Sequence, residues 1–269
     1  NFNYTEANSW QYSLYVPHAV GVLRDLLGGK DSLEVWLDRL FTTESNLAGR
    51  HQVDITGLIG QYAHGNEPSH HMAYLYNYTN AQYKTQRMVR SILDEMYFNA
   101  PDGLSGNEDC GQMSSWFVLS SMGIYPIAPG SPYYEIGTTK NSESILQLNN
   151  GKSFIIKSIN NDTYGNIIIS MKLNGAPYNK LYLEHSDILK GGVLEITYGK
   201  LVRDSLPSFR HALTLSELPN DFVPVPYFEQ EDRVFLDSLS VSLSVVNPSD
   251  YNIFYTTDGT TPTKSSQLY

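Results

Sequence analysis

His64-Gly65-Asn66-Glu67-Pro68-Ser69-His70-His71 is answered about forty residues later by Gly106-Asn107-Glu108-Asp109-Cys110-Gly111-Gln112-Met113-Ser114. Both stretches are rich in side chains that helix interiors use poorly, yet each runs into an apolar helical segment. They read as loops feeding helices whose N-termini face a shared cleft, a placement that suits a site better than a core. Oxygen ligands gathered there can hold hard cations and sugar hydroxyls, and carboxylates there can transfer protons.

Working outward, the chain is helical in pattern from Trp10 to about Tyr125. Val20, Leu23, Leu26 and Leu27 fit one helix face closed by Gly28-Gly29, and Ser32 to Phe41 forms a second helix led by Asp31 as a cap. Pro68 to Tyr78, Ala81 to Met96 and Gly111 to Gly123 give three more. Long helices joined by loops that hold the polar motifs suggest a helical barrel or toroid.

After Pro126 the pattern changes. Ser153 to Ile159, Ile167 to Leu173 and Val193 to Tyr198 are β-branched strands separated by turn residues, and Asn174-Gly175 signals a hairpin. Residues 127–220 therefore read as a small antiparallel sandwich. The Pro-rich stretch at 221–226 reads as a linker, and 227–269 as a third β module. In that module Val234-Phe235, Leu239 to Val245 and Ile253 to Thr256 alternate with period two. Its last strand runs into Asp258-Gly259, and the chain is expected to stop before a returning strand pairs fully, as an internal fragment of a longer protein would.

Composition narrows the partners. The 269 residues carry a formal net charge of −10 and no basic stripe, which argues against a phosphate backbone. Twenty Tyr against ten Phe favour a surface that stacks and hydrogen-bonds, as carbohydrate sites do, although an amphipathic aromatic core has the same composition. The one cysteine excludes an internal disulfide framework and a cysteine metal cluster. No apolar run reaches membrane-spanning length.

Three groups could do chemistry. Glu6 lies among aromatics before a helix, beside Trp10 and Tyr12, where partial desolvation raises a carboxyl pKa and suits a general acid; it could equally stabilise the helix dipole. Asn66-Glu67-Pro68 supplies an amide oxygen and a carboxylate at a helix start, which fits a Ca²⁺ ion or an ordinary N-cap. Zinc on His70 and His71 is disfavoured, because adjacent residues point to different faces and no third ligand is suitably spaced. Asn107-Glu108-Asp109 brings two adjacent carboxylates that need a cation or a shared proton. Cys110 reads as a packing residue more readily than a nucleophile.

Thr5-Glu6-Ala7-Asn8-Ser9-Trp10-Gln11-Tyr12 with Val16-Pro17-His18, Gly60 to His71, and Gly106 to Ser114 followed by Gly123-Ile124-Tyr125-Pro126 together resemble glycoside hydrolase family 92. The likeness covers about residues 1–220 with several motifs in order. That family comprises calcium-dependent exo-acting α-mannosidases abundant in gut Bacteroidetes. The resemblance implies inverting hydrolysis of terminal α-mannosides in glycan degradation, N-glycans among them, by a bacterial protein that is secreted, periplasmic or on the outer surface.

By position Glu6 matches the general acid and Asp109 the general base, while Asn107 stands where family members often have Asp. Glu67, with oxygens of Gly65 and Asn66, matches the calcium site, where the ion would contact the mannose 2- and 3-hydroxyls. His64, Trp10 and Glu108 are expected at the substrate. Glu rather than Gln at position 6 argues for ordinary mannosides over mannose-1-phosphate linkages.

The architecture so implied is an α+β multidomain protein. Residues 1–126 would form the second half of an (α/α)6 barrel, followed by the β-sandwich and a module resembling the one appended to some hexosaminidases. A half toroid exposes apolar helix faces, so a partner is expected: the missing N-terminal part of the same protein, or a second copy. Two other readings are a non-catalytic carbohydrate-binding fragment and another inverting glycosidase or phosphorylase on the same barrel.

Overall fold

The computed structural model describes residues 4–45, 55–161, 167–202, 206–212, 225–229, 235–245 and 248–269. The chain forms two compact units, Asn1–Glu217 and Leu218–Tyr269.

The first unit opens with helices α1 (Ser9–Tyr12), α2 (Val20–Leu26) and α3 (Lys30–Thr42). A short hairpin of β1 (Leu58–Ile59) and β2 (Tyr62–Ala63) follows. Two 3₁₀ segments, Glu67–Ser69 and Met72–Tyr78, lead to α4 (Tyr83–Glu95) and α5 (Gln112–Met122). Leu33, Leu37, Leu40 and Phe41 of α3, Val89, Ile92 and Leu93 of α4, and Trp116 of α5 meet in one core. Their three-to-four spacing puts them on single helix faces.

Three helical expectations are corrected. Leu26 is 81% exposed, because six residues from Val20 at 100° each carry it off the buried face that Leu23 and Leu27 share. Asp31 is not the cap of α3: Gly29 holds that position, and Asp31, one residue inside the first turn, accepts from Asn80 Nδ2 at 2.9 Å. Pro68 to Tyr78 is two 3₁₀ segments instead of one α-helix. Every residue from Met72 to Tyr78 is buried, and its hydroxyls and amide reach different neighbours: Tyr74 to Ser120, Tyr76 to Asp38, and Asn77 and Tyr78 to Glu135. A segment anchored on all sides suits the three-residue turn.

The β region begins at β3 (Ile124–Tyr125) and continues through β4 (Tyr133–Ile136), β5 (Glu143–Gln147), β6 (Ser153–Ile159), β7 (Ile167–Leu173) and β8 (Ala176–Pro177). Then come β9 (Tyr182–Glu184), a short α6 (His185–Lys190) and β10 (Gly192–Gly199). Asn174 and Gly175, both at positive φ, turn β7 into β8 as the sequence predicts. Two sheets, β3-β4-β9 and β5-β6-β10-β7-β8, share a core that includes Ile136, Leu183, Phe154, Ile156, Leu194 and Ile196.

The larger sheet is not wholly antiparallel: β10 pairs parallel with β6 and antiparallel with β7. With Leu194, Ile196 and Tyr198 buried in alternation, β10 takes the central place. The crossover through β7, β8, β9 and α6 returns the chain to run alongside β6, which a hairpin cannot do.

In the second unit β11 (Tyr227–Phe228) pairs with β12 (Leu243–Ser244), and β13 (Phe254–Tyr255) with β14 (Gln267–Leu268), all over two residues. A returning strand thus pairs with β13 over two residues only, across a broad loop in which the Asp258 carboxylate is bound by the Thr260 amide and hydroxyl. Much of the expected linker and Val234 lie outside the described residues.

Glu135 of β4 joins the helical layer to the sheets. It is fully buried, accepts from Asn77 Nδ2 at 2.8 Å and from the Tyr78 hydroxyl at 2.7 Å, and burial raises its pKa to about 7. A carboxyl whose folded pKa lies above its unfolded value contributes stability that is full below about 4.5 and is lost as pH rises through about 7. Urea unfolding should show wild type losing up to about 3 kcal/mol between pH 5 and pH 8, a loss absent from Glu135→Gln. Equal pH slopes in the two proteins would refute this assignment.

Candidate active site

All three motifs converge on the 55–66 hairpin. Ala7, next to Glu6, is buried with Ile55 and Ala63. Asn8 caps α1 by accepting from the Trp10 amide at 2.8 Å, and its own amide donates to Gln11 Oε1 at 2.9 Å, a reciprocal capping box. Asn8 Nδ2 donates to Gln61 Oε1 at 3.1 Å, Gln11 Nε2 donates to the Gln61 carbonyl, and the Gln61 amide donates to Leu40 O at 2.7 Å. Gln61 thus clasps the Glu6 segment to the hairpin and the hairpin to α3.

Backbone contact brings in the other loop. A Cβ at Gly106, whose φ is +84°, would lie 3.0 Å from Thr56 Oγ1 and 3.5 Å from the Gly65 carbonyl oxygen. The Gly65 amide donates to Thr56 O at 3.1 Å. Only a residue without a side chain lets the 106–111 loop approach this closely at that dihedral. Asp109 and Cys110 follow with φ of +49° and +57°, a left-handed pair that costs about 1–2 kcal/mol per residue.

Beneath the loops lies a charge-free polar chain. The Tyr62 hydroxyl is 2.8 Å from His64 Nδ1, His64 Nε2 is 2.6 Å from the Tyr97 hydroxyl, and Tyr97 donates to Met113 O at 3.1 Å. Because the last acceptor is a carbonyl, the protons run from Tyr62 to His64 to Tyr97 to Met113. Burial holds the His64 pKa well below its usual value and lowers His70 and His71 to about 4, so all three rings are neutral. His70 Nε2 meets His64 O at 2.9 Å, and His71 Nε2 meets Leu14 O at 2.8 Å.

The structure distributes the sequence-predicted residues unevenly. Glu6, Gly65, Asn66, Glu67, Asn107 and Asp109 lie on segments that meet at the hairpin. His64 is wholly buried, with both ring nitrogens engaged and Trp116 at 4.5 Å. Trp10 packs edge-on against Trp36 at 5.2 Å. Glu108 is engaged by the first turn of α5, accepting from the Ser114 amide at 3.0 Å and hydroxyl at 2.7 Å, and the hydroxyl bond is the first cause of its lowered pKa. Cys110 is exposed. Gln11, Tyr97 and Gln112 escape sequence reading. The pattern Asn8-Ser9-Trp10-Gln11 is a legible capping-box signal, whereas nothing local marks Tyr97.

The 65–67 loop is the segment on which the sequence predicts a cation. Among the described residues no three His, Cys, Asp or Glu side chains gather as metal ligands. The loop instead offers one carboxylate, Glu67, beside backbone and amide oxygens. Thr56 Oγ1, Ser69 Oγ and Asn66 Nδ2 are buried without a hydrogen-bond partner. The Asn66 Nδ2 is a donor and no ligand, but one carboxylate among neutral oxygens fits the oxygen coordination of Ca²⁺ and lacks the nitrogen and sulfur ligands of a Zn²⁺ site.

The model of the glycosyl hydrolase family 92 catalytic domain matches residues 1–200. The chain belongs to this family. A second model, the chitobiase/beta-hexosaminidase C-terminal domain, matches residues 234–269. Over 197 residues the family 92 chain is 29% identical to an uncharacterized secreted glycosidase of Arthroderma benhamiae, covering 72% of this chain and 24% of that protein.

It is similar to a family 92 alpha-mannosidase of Bacteroides thetaiotaomicron in complex with mannoimidazole, at 40% identity and TM-score 0.68, over 73% of this chain and 26% of the other. An inverting family 92 mannosidase of the same organism aligns at 32% identity and TM-score 0.62, over 73% and 28%. The chain thus spans about a quarter of the length of these relatives.

Histidines with depressed pKa values contribute stability that is full above about 6.5 and is lost as pH falls through about 4. His70 and His71 should each remove up to about 3 kcal/mol on acidification from pH 6.5 to below 4, read as a falling urea midpoint. A midpoint constant across that range would contradict the neutral, buried assignment.

Proposed function

We propose that this chain carries the acid, base and metal loops of a calcium-dependent, inverting exo-α-mannosidase that removes terminal non-reducing α-linked mannose from glycans. The observation that supports it most is the meeting of the Glu6 segment, the 65–67 loop and the 107–109 loop on one hairpin. Similarity to alpha-mannosidases, one of them holding mannoimidazole, supports mannose as the sugar.

In the proposed reaction the Glu6 carboxyl gives its proton to the glycosidic oxygen as the bond to the anomeric carbon breaks. Asp109 takes a proton from a water that attacks the opposite face, so mannose leaves with inverted configuration. Asn107, an amide at the neighbouring position, can orient that water by hydrogen bonding and cannot serve as a second base. Gly65, Asn66 and Glu67 would hold Ca²⁺, which when bound supplies positive charge and oxygen coordination for two sugar hydroxyls. With His64 enclosed and both Glu108 oxygens engaged on Ser114, these two act on the sugar indirectly, through loop geometry.

The helices read as the second half of an (α/α)6 barrel, with the remaining walls supplied by the rest of the relatives' length. An exported setting is supported by the fungal relative's description as secreted. No described helix is long and apolar enough to cross a membrane.

The test is mannose release from α-linked mannobioses by the complete protein. Glu6→Gln should lose about 10²–10⁴-fold in turnover, EDTA should abolish activity and added calcium restore it. Turnover indifferent to both would discard the acid and the metal together.

A further inference from the structure

Gln112 is the first residue of α5, three residues after Asp109. Its amide nitrogen lies 3.1 Å from His70 Nδ1 and 3.0 Å from the Tyr125 hydroxyl. On the far side of the ring, His70 Nε2 is 2.9 Å from the His64 carbonyl oxygen. A carbonyl only accepts, so Nε2 carries the ring proton and Nδ1 must be the acceptor. That requirement also orients the Gln112 amide, because only its nitrogen can serve Nδ1. Trp116 of the same helix donates Nε1–H to the His70 carbonyl at 3.1 Å.

One imidazole is therefore gripped from α5 through Nδ1 and through its backbone, while its other nitrogen holds the peptide of His64, next to Gly65. The helix whose entry loop carries Asp109 is coupled in this way to the loop that carries Glu67. The link is neutral and ends on a buried ring, where a satisfied polar network rigidifies its surroundings.

We propose that Gln112 is a positioning residue: by gripping the His70 ring at Nδ1 it sets the 107–109 loop against the 64–67 loop. Its kinetic consequence rests on the mannosidase reading; its effect on the His70 ring does not. Gln112→Met keeps the side-chain length and removes the donor.

Nitrogen NMR of the complete protein, ¹⁵N-labelled at histidine, should show His70 Nε2 protonated and Nδ1 unprotonated in wild type, with the Nδ1 resonance moved downfield in Gln112→Met as its hydrogen bond is lost. In mannobiose hydrolysis, Gln112→Met should lose about 10–100-fold in kcat with KM changed less than about threefold, as a loop displaced by a fraction of an ångström would. A protonated Nδ1 in wild type, or an Nδ1 resonance unmoved in Gln112→Met, would overturn the inference. So would a Gln112→Met kcat within about twofold of wild type. If wild type releases no mannose, the mannosidase reading falls and the nitrogen spectra alone decide the role of Gln112.

Discussion

Close backbone approach around the 55–66 hairpin is the constraint on which the rest of the first unit depends. At Gly60 a Cβ would stand 2.5 Å from the Leu40 carbonyl oxygen, so hairpin and α3 touch main chain to main chain. At Gly106 the second loop comes down on Thr56 and Gly65 in the same manner. Residues without side chains are needed at such contacts, and the polar groups they leave are met by Gln61, Asn8 and Gln11. Three segments far apart in sequence are thereby brought within one small volume.

Polar burial here is extensive and almost uncharged. His64, His70 and His71 are held neutral by burial, with carbonyls and tyrosines as partners. Neutral hydrogen-bonded groups avoid the desolvation cost that an isolated buried ion would carry. Glu135 is the exception, a buried carboxyl with two neutral donors and a pKa close to 7. The histidines oppose acid and Glu135 opposes base, which places the most stable condition between about pH 5 and pH 7.

Membership of family 92 accounts for what the loops have in common with mannosidases. The aromatic wealth, by contrast, serves two ends in this chain. Tyr62, Tyr74, Tyr76 and Tyr78 are core residues whose hydroxyls bond His64, Ser120, Asp38 and Glu135. The amphipathic-core reading of the tyrosines therefore describes these four better than a sugar-stacking surface does.

Periodicity in the sequence was enough to find α3, α4, α5 and the three long strands, because one buried face imposes its spacing locally. The motif loops and their glycines were legible for the same reason: turn chemistry and family spelling are local properties. Tertiary structure alone decided that Met72–Tyr78 would be 3₁₀, that β10 would run parallel to β6, and that His64, Trp10 and Glu108 would be engaged by Tyr97, Trp36 and Ser114. Those outcomes depend on partners distant in sequence, and no local pattern encodes which side chain will already be hydrogen-bonded when the loops meet.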